Sequence, residues 1–180
     1  MKNGELIKLT LETLKKRLNK NSELVCQNAN GSFSTGKCVF NQPIQYEEII
    51  RFQTKLKYEL PIDYINFLMI NNGCTLFEDS NFGGEILFYR LEEIESNTYE
   101  DNAEGFLKIG TIYQENIIIN LKLYKKGEPN YLMVKDQHDH FLEAIKLESN
   151  FEIWFDRFII CQGEKFWNWK YQTAENYYKE

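Results

Sequence analysis

Two short segments have residue types and spacings that could do chemistry. Gly31-Ser32-Phe33-Ser34-Thr35-Gly36-Lys37-Cys38 matches G-x-x-x-x-G-K, the loop that cradles phosphate with backbone N–H groups and a lysine. Such a loop needs a helix directly after it, so that N–H groups converge on the anion. Here Val39-Phe40-Asn41-Gln42-Pro43 follows, which reads as strand and turn. Cys38 also lacks the hydroxyl that would hold Mg²⁺. A Gly-rich hairpin turn is the better fit, and no cofactor is expected. Asp136-x-His138-Asp139-His140 is the second segment. Two His one residue apart share a face if they lie in a strand, which suits a metal. They are the chain's only two His, they sit at a turn signal, and no third patterned ligand accompanies them. A solvated turn is expected, with no metal.

Other chemistries find less. Cys26, Cys38, Cys74 and Cys161 are widely spaced, form no C-x-x-C pair and carry no nucleophile signature. Buried free thiols and a cytoplasmic location are expected, since Met1-Lys2-Asn3-Gly4-Glu5 leads into an amphipathic pattern rather than a signal core. No apolar run approaches the ~20 residues of a membrane span. Lys15-Lys16-Arg17 lies on the polar face of a helix, and the sequence pI is about 5.1, so no nucleic-acid partner is expected. Trp167 and Trp169 could stack a base, but aromatics after a terminal helix read better as packing. The residues specify no catalytic set, and the chain reads as a non-enzyme.

The distribution of charge is more informative than its net value of −6. Residues 1–57 carry net +5, residues 58–107 carry Arg90 against 11 acids, and residues 108–180 carry net −1. A block this one-sided repels nucleic acid and attracts a basic partner. Between Arg90 and Lys108 the acids have no cationic neighbour in sequence. The candidate partner-binding residues are Glu78, Asp79, Glu92, Glu93, Glu95, Glu100, Asp101 and Glu104. The competing reading is a solvated acidic face.

Several elements must position these side chains. Ile7, Leu11, Leu14 and Leu18 predict an amphipathic helix over 5–19. Residues 22–43 are irregular and allow a hairpin pairing Leu24–Gln27 with Lys37–Phe40. Positions 46, 49, 52 and 56 predict a second helix. Leu60-Pro61-Ile62-Asp63-Tyr64-Ile65-Asn66-Phe67-Leu68 predicts a third, with Pro61 in its first turn, Asp63 answering the helix dipole and Gly73 as the stop. Glu85–Tyr89 is a predicted strand, Leu91–Glu95 a helical turn, and Ser96–Gly105 a surface loop. Phe106–Ile109 is a short predicted strand. Asn116–Tyr124 predicts a strand with Ile117, Ile119, Leu121 and Leu123 on one face. Tyr131–Asp136 and Phe141–Lys146 continue the sheet. Ser149-x-x-Glu152 reads as a capping box for a helix whose face is Phe151, Trp154, Phe155 and Phe158, with Gly163 at its end. Tyr64, Phe67, Leu68, Trp154, Phe155 and Phe158 are expected in one core. The fold expected is α+β: one domain over 1–170, a largely antiparallel or mixed sheet with helices packed against it, and a polar tail over 171–180.

The unit LP-x-x-Y-x-x-F-L, Asn71-Asn72-Gly73, Leu76-Phe77, then Gly83-Gly84 leading to Ile86-Leu87-Phe88-Tyr89 and Leu91-Glu92-Glu93-Ile94, resembles the SUKH superfamily. The resemblance runs from about Ile44 to Trp169. It implies a protein-binding domain without catalytic residues. Bacterial members are immunity proteins that neutralise a cognate toxin domain, often a nuclease. A fungal member regulates cell-wall synthesis, which implies the alternative of an intracellular regulatory or scaffold module. The sequence leaves the oligomeric state open.

Overall fold

The computed structural model describes residues 2–79, 83–99 and 104–177. Eight strands form one sheet whose spatial order equals their chain order, and every neighbouring pair is antiparallel. They are β1 Glu23–Gln27, β2 Phe33–Phe40, β3 Cys74–Asp79, β4 Ile86–Phe88, β5 Phe106–Ile112, β6 Glu115–Asn120, β7 Leu132–Asp136 and β8 Ile145–Lys146. The helices are α1 Glu5–Arg17, α2 Tyr46–Leu56, α3 Ile62–Ile70, α4 Leu91–Tyr99, α5 Leu121–Lys125, α6 Phe151–Ile160 and a last turn, α7 Ala174–Tyr177. The architecture is α+β in one domain, as expected.

The main core lies between one sheet face and the layer formed by α1, α3 and α6. Tyr64, Phe67, Leu68, Trp154, Phe155 and Phe158 are all in it. Phe67 lies 5.3 Å from Phe151 and 5.4 Å from Phe155, centroid to centroid. Trp154 stacks on Phe158 at 5.1 Å. Truncating one of these rings to Ala would cost about 3–5 kcal/mol. Trp167 extends the cluster, 5.5 Å from Trp154, and its Nε1–H donates to Glu115 Oε2 at 2.9 Å. On the opposite sheet face Ile118 and Met133 pack under Phe141, with Phe106 against them. The central strand β6 is therefore buried on both faces.

Both sheet edges are blunted. The outward N–H of Glu23 donates to Asn19 Oδ1 and that of Gln27 to Gln162 Oε1. Asn19 N–H donates to the Glu23 carbonyl. Outward groups alternate along a strand, so only Val25 in the middle of β1 keeps its outward N–H open. The other edge, β8, is two residues long.

Three helix termini are joined by long-range contacts. Asp63 is 1% exposed rather than a solvated dipole charge. Its Oδ1 accepts from Tyr131 Oη at 2.5 Å and from Tyr64 N–H, and its Oδ2 accepts from Glu152 N–H at 3.0 Å. Asp63 thus satisfies a free N–H at the start of α6. Glu152 in turn accepts the Gly4 N–H at the start of α1, at 2.9 Å. The expected Ser149 capping box is corrected by this arrangement. Asn150 is the N-cap, accepting from Ile153 N–H, and the Glu152 carboxylate reaches α1 instead of residue 149.

Other expectations are corrected locally. Residues 116–124 are not one strand, because the Asn120 side chain accepts from Leu123 N–H and starts α5. Residues 141–146 are a 3₁₀ turn, Phe141–Glu143, followed by β8. The Leu91–Glu95 turn extends as helix to Tyr99, through part of the expected loop. Pro61 is the N-cap of α3 rather than its first residue. In α2 only Ile49 of the expected face is buried, and Tyr46 is exposed. Strand β3, not anticipated as such, contains a bulge: Leu76 and Phe77 together face Cys38, with Phe77 at φ 51°.

Candidate interaction surface

Segment Gly31–Cys38 places two residues in a turn and the rest in β2. From Phe33 to Lys37 its residues pair in register with β1, and Lys37 is an exposed mid-strand residue opposite Glu23 and Glu78. Its backbone serves the sheet, so a hairpin forms, but the expected pairing is corrected: Leu24–Gln27 pair with Gly36 back to Phe33, and the stretch 37–40 pairs chiefly with β3, because most of the expected turn is itself strand. His138 and His140 are exposed, and the His140 N–H donates to Glu143 Oε2 at the 3₁₀ turn. No group of three metal-ligating side chains occurs among the described residues. Cys26, Cys38 and Cys74 are buried free thiols, and Cys161 is half-buried. Burial pushes the Cys38 thiol up to about 11 and Cys74 well above its usual value. None of the three buried thiols is poised as a thiolate nucleophile.

The acidic candidates depend chiefly on α4. Leu91 and Ile94 are buried and hold this helix against β5. Helical spacing then turns Glu92 and Glu95 to the exposed side. The start of α4 is fixed by Asn72: its Oδ1 accepts from Leu91 N–H at 2.8 Å, and its Nδ2 donates to Glu92 Oε2 at 3.0 Å. Glu93 Oε2 accepts from Arg90 N–H at 2.9 Å. Gly73 lies beneath the same segment. A Cβ there would stand 2.5 Å from the Phe88 carbonyl oxygen, and φ is +80°. Close approach, rather than helix termination, is what requires this glycine; α3 ends in the extended Asn71. The NNG and LEEI motifs are therefore two halves of one contact.

At the other end of α4, Glu95 meets Lys55 of α2 at 2.5 Å, both side chains being more than half exposed. Such a pair is screened and contributes little to stability, typically about 0–1 kcal/mol. The acids have no cation nearby in sequence, and the one that Glu95 finds comes from 40 residues away in α2. Glu104 accepts from Tyr58 Oη at 3.1 Å. Loss of solvation, with Glu104 beside it, holds the Tyr58 hydroxyl above its usual value. Glu100 and Asp101 lie outside the described residues. Glu78 and Asp79 sit at the far end of β3 from the Cys74–Phe88 pair that adjoins α4. Asp79 lies four steps along the strand from Thr75, roughly 13 Å. The structure thus brings Glu92, Glu93, Glu95 and Glu104 to the α4 side and leaves Glu78 and Asp79 apart.

A groove of about 550 Å³ adjoins Glu92, lined by Asn41, Gln42, Glu48, Asn72 and Arg90 among others. Arg90 Nη2 donates to Asn41 Oδ1 at 3.3 Å across it. No charge pattern in the sequence marked this cleft; the amide run Asn41-Gln42 and Asn71-Asn72 was the available signal.

The fold is an eight-stranded antiparallel meander with a helical layer against one face and an acid-bearing α4. The model of the SMI1 / KNR4 family (SUKH-1) matches residues 43–157, and the chain belongs to that family. It is 37% identical over 156 residues to the uncharacterized protein YobM of Bacillus subtilis (strain 168), covering 82% of this chain and 80% of that protein. It is 37% identical over 141 residues to the uncharacterized protein YnaB of the same strain, covering 78% of this chain and 92% of that protein. The family match leaves out α1 and the β1–β2 hairpin.

Proposed function

We propose that this protein is an immunity protein, acting in the cytoplasm, that binds and neutralises a cognate polymorphic toxin without catalysis of its own. Family membership over residues 43–157 is the observation that carries the reading. The toxin's contact is assigned to the α4 side, where Glu92, Glu95 and Glu104 are exposed next to the Asn-lined groove. A nuclease active site is cationic because it binds phosphate. An acidic inhibitor surface speeds its encounter with such a site and blocks it. Glu100 and Asp101 remain candidates by their place in the acidic block of the sequence, and Glu78 and Asp79 are candidates for a second, separate contact.

The test is a triple variant, Glu92→Lys, Glu95→Lys and Glu104→Lys, checked for unchanged melting. Its binding to the toxin encoded beside it is measured at low and high salt. We expect a slower on-rate and a weakened salt dependence. Undiminished association with that toxin would place the interface elsewhere. Absence of any toxin that binds the wild-type chain would overturn the reading itself.

A further inference from the structure

A second groove has the opposite chemistry. It runs between the end of α2 and α5, has a volume of about 760 Å³, and is lined by Ile50, Gln53, Lys57, Tyr58, Tyr124 and Lys125 among others. That volume lies in the range of ordinary ligand sites, about 300–1,000 Å³. Ile50, Tyr58 and Tyr124 give it an apolar floor. Ile50 is 42% exposed, and Tyr58 and Tyr124 are half-buried. Tyr124 is braced edge-on against the buried Tyr131 at 5.4 Å. Lys125 Nζ stands 5.6 Å from the Tyr58 ring centre, at the mouth of the groove.

The polar groups there are mostly donors. Gln53 Oε1 is occupied by the Leu60 N–H, which leaves its amide N–H groups to point elsewhere. Among the described residues no carboxylate lies within ion-pair range of Lys57 or Lys125, nor of Arg51, Lys122 or Lys126 nearby. The neighbouring acids each have a partner other than these lysines and arginine: Glu95 has Lys55, Glu104 has Tyr58 and Glu128 has the Asn130 N–H. Glu59 is the one carboxylate that lines the groove. In a chain of net charge −6 this is a local reversal of sign, not an effect of general basicity.

We propose that the α2–α5 groove docks an acidic segment of a partner protein. An aromatic or aliphatic side chain of that segment enters between Tyr58 and Tyr124, and its carboxylates meet Lys57 and Lys125. Aromatic walls supply area at low entropic cost, and the paired lysines set the sign of the partner. The surface adjoins the acidic one on α4 at the Tyr58–Glu104 hydrogen bond but has the opposite sign, and the proposal does not depend on the toxin reading.

The experiment is an NMR titration of the full chain, ¹⁵N-labelled, with three synthetic nine-residue peptides. One carries glutamates around a single Phe, the second has every Glu changed to Lys, and the third has the Phe changed to Ala. We expect saturable shifts at residues 50–59 and 124–127 with the first peptide, none with the second, and weaker binding with the third. Lys125→Glu alone, and together with Lys57→Glu, should weaken the first peptide about tenfold or more while melting stays unchanged. The proposal is overturned by shifts elsewhere, by no shifts, by equal shifts with the lysine peptide, or by indifference to the charge reversals. A single-stranded oligonucleotide that displaces the peptide and binds more tightly would also overturn it, in favour of a polyanion site.

Discussion

Asp63 shows how much one side chain can do away from any active site. It is buried without a cation and takes three hydrogen bonds, two of them from backbone N–H groups. Replacing it with Asn turns one acceptor into a donor facing donors, which should cost about 1–3 kcal/mol. Burial, the largest influence, holds its carboxyl above the usual 3.8, against the opposing pull of its hydrogen bonds. A raised folded value means that its contribution is full below 3.8 and is lost as pH rises through the folded value. The stability advantage of wild type over Asp63→Asn, from urea melts, should therefore be larger below pH 3.8 than at pH 7. An advantage that grows with pH would show that the ionised form is the favoured one. Its position in a first helical turn was legible in the sequence. Its role was not, because Tyr131 and Glu152 lie 68 and 89 residues away. The same holds for Glu95, whose cation sits in another helix.

Elements were legible where one local period dominates. The α2 range follows from the 46, 49, 52, 56 spacing, and the β1–β2 hairpin from its turn residues. They were not legible where a side chain overrides the period. Residues 117, 119, 121 and 123 keep strand alternation in the sequence, yet the Asn120 cap turns the last part into α5. The last turn of helix α4 holds Ser96-Asn97-Thr98, poor helix formers, and is tied to β5 by Thr98 Oγ1, which accepts from Lys108 N–H at 3.1 Å. Ser96 Oγ and Asn97 Nδ2 both donate to the Glu93 carbonyl. Asn72 is the fastener at its start. Asn72→Ala should cost about 1–2 kcal/mol, as loss of a cap does. It should also raise hydrogen exchange selectively at Leu91 and its neighbours. Unchanged exchange in α4 with unchanged stability would show that burial of Leu91 and Ile94 suffices to hold it.

At the scale of the whole molecule, sheet order equal to chain order makes strand pairing local, from hairpin to hairpin. The helical layer is the reverse. The α1 residues Ile7, Leu11 and Leu14 lie against α6 and α3, and Gly4 is held by Glu152, 148 residues later. Thr10 Oγ1 adds a second clasp to Asp156 Oδ1 at 2.5 Å. A chain emerging from the ribosome can therefore zip its sheet strand by strand, while α1 waits for α6 to be made. On arrested nascent chains, protection of α1 from protease should appear only once residues 151–160 have cleared the exit tunnel. Protection in chains that stop before residue 150 would mean that α3 alone receives it. Until then three core residues of α1 stay open to solvent, so a chaperone that binds exposed apolar helices has the whole interval between the making of α1 and of α6 in which to find this one.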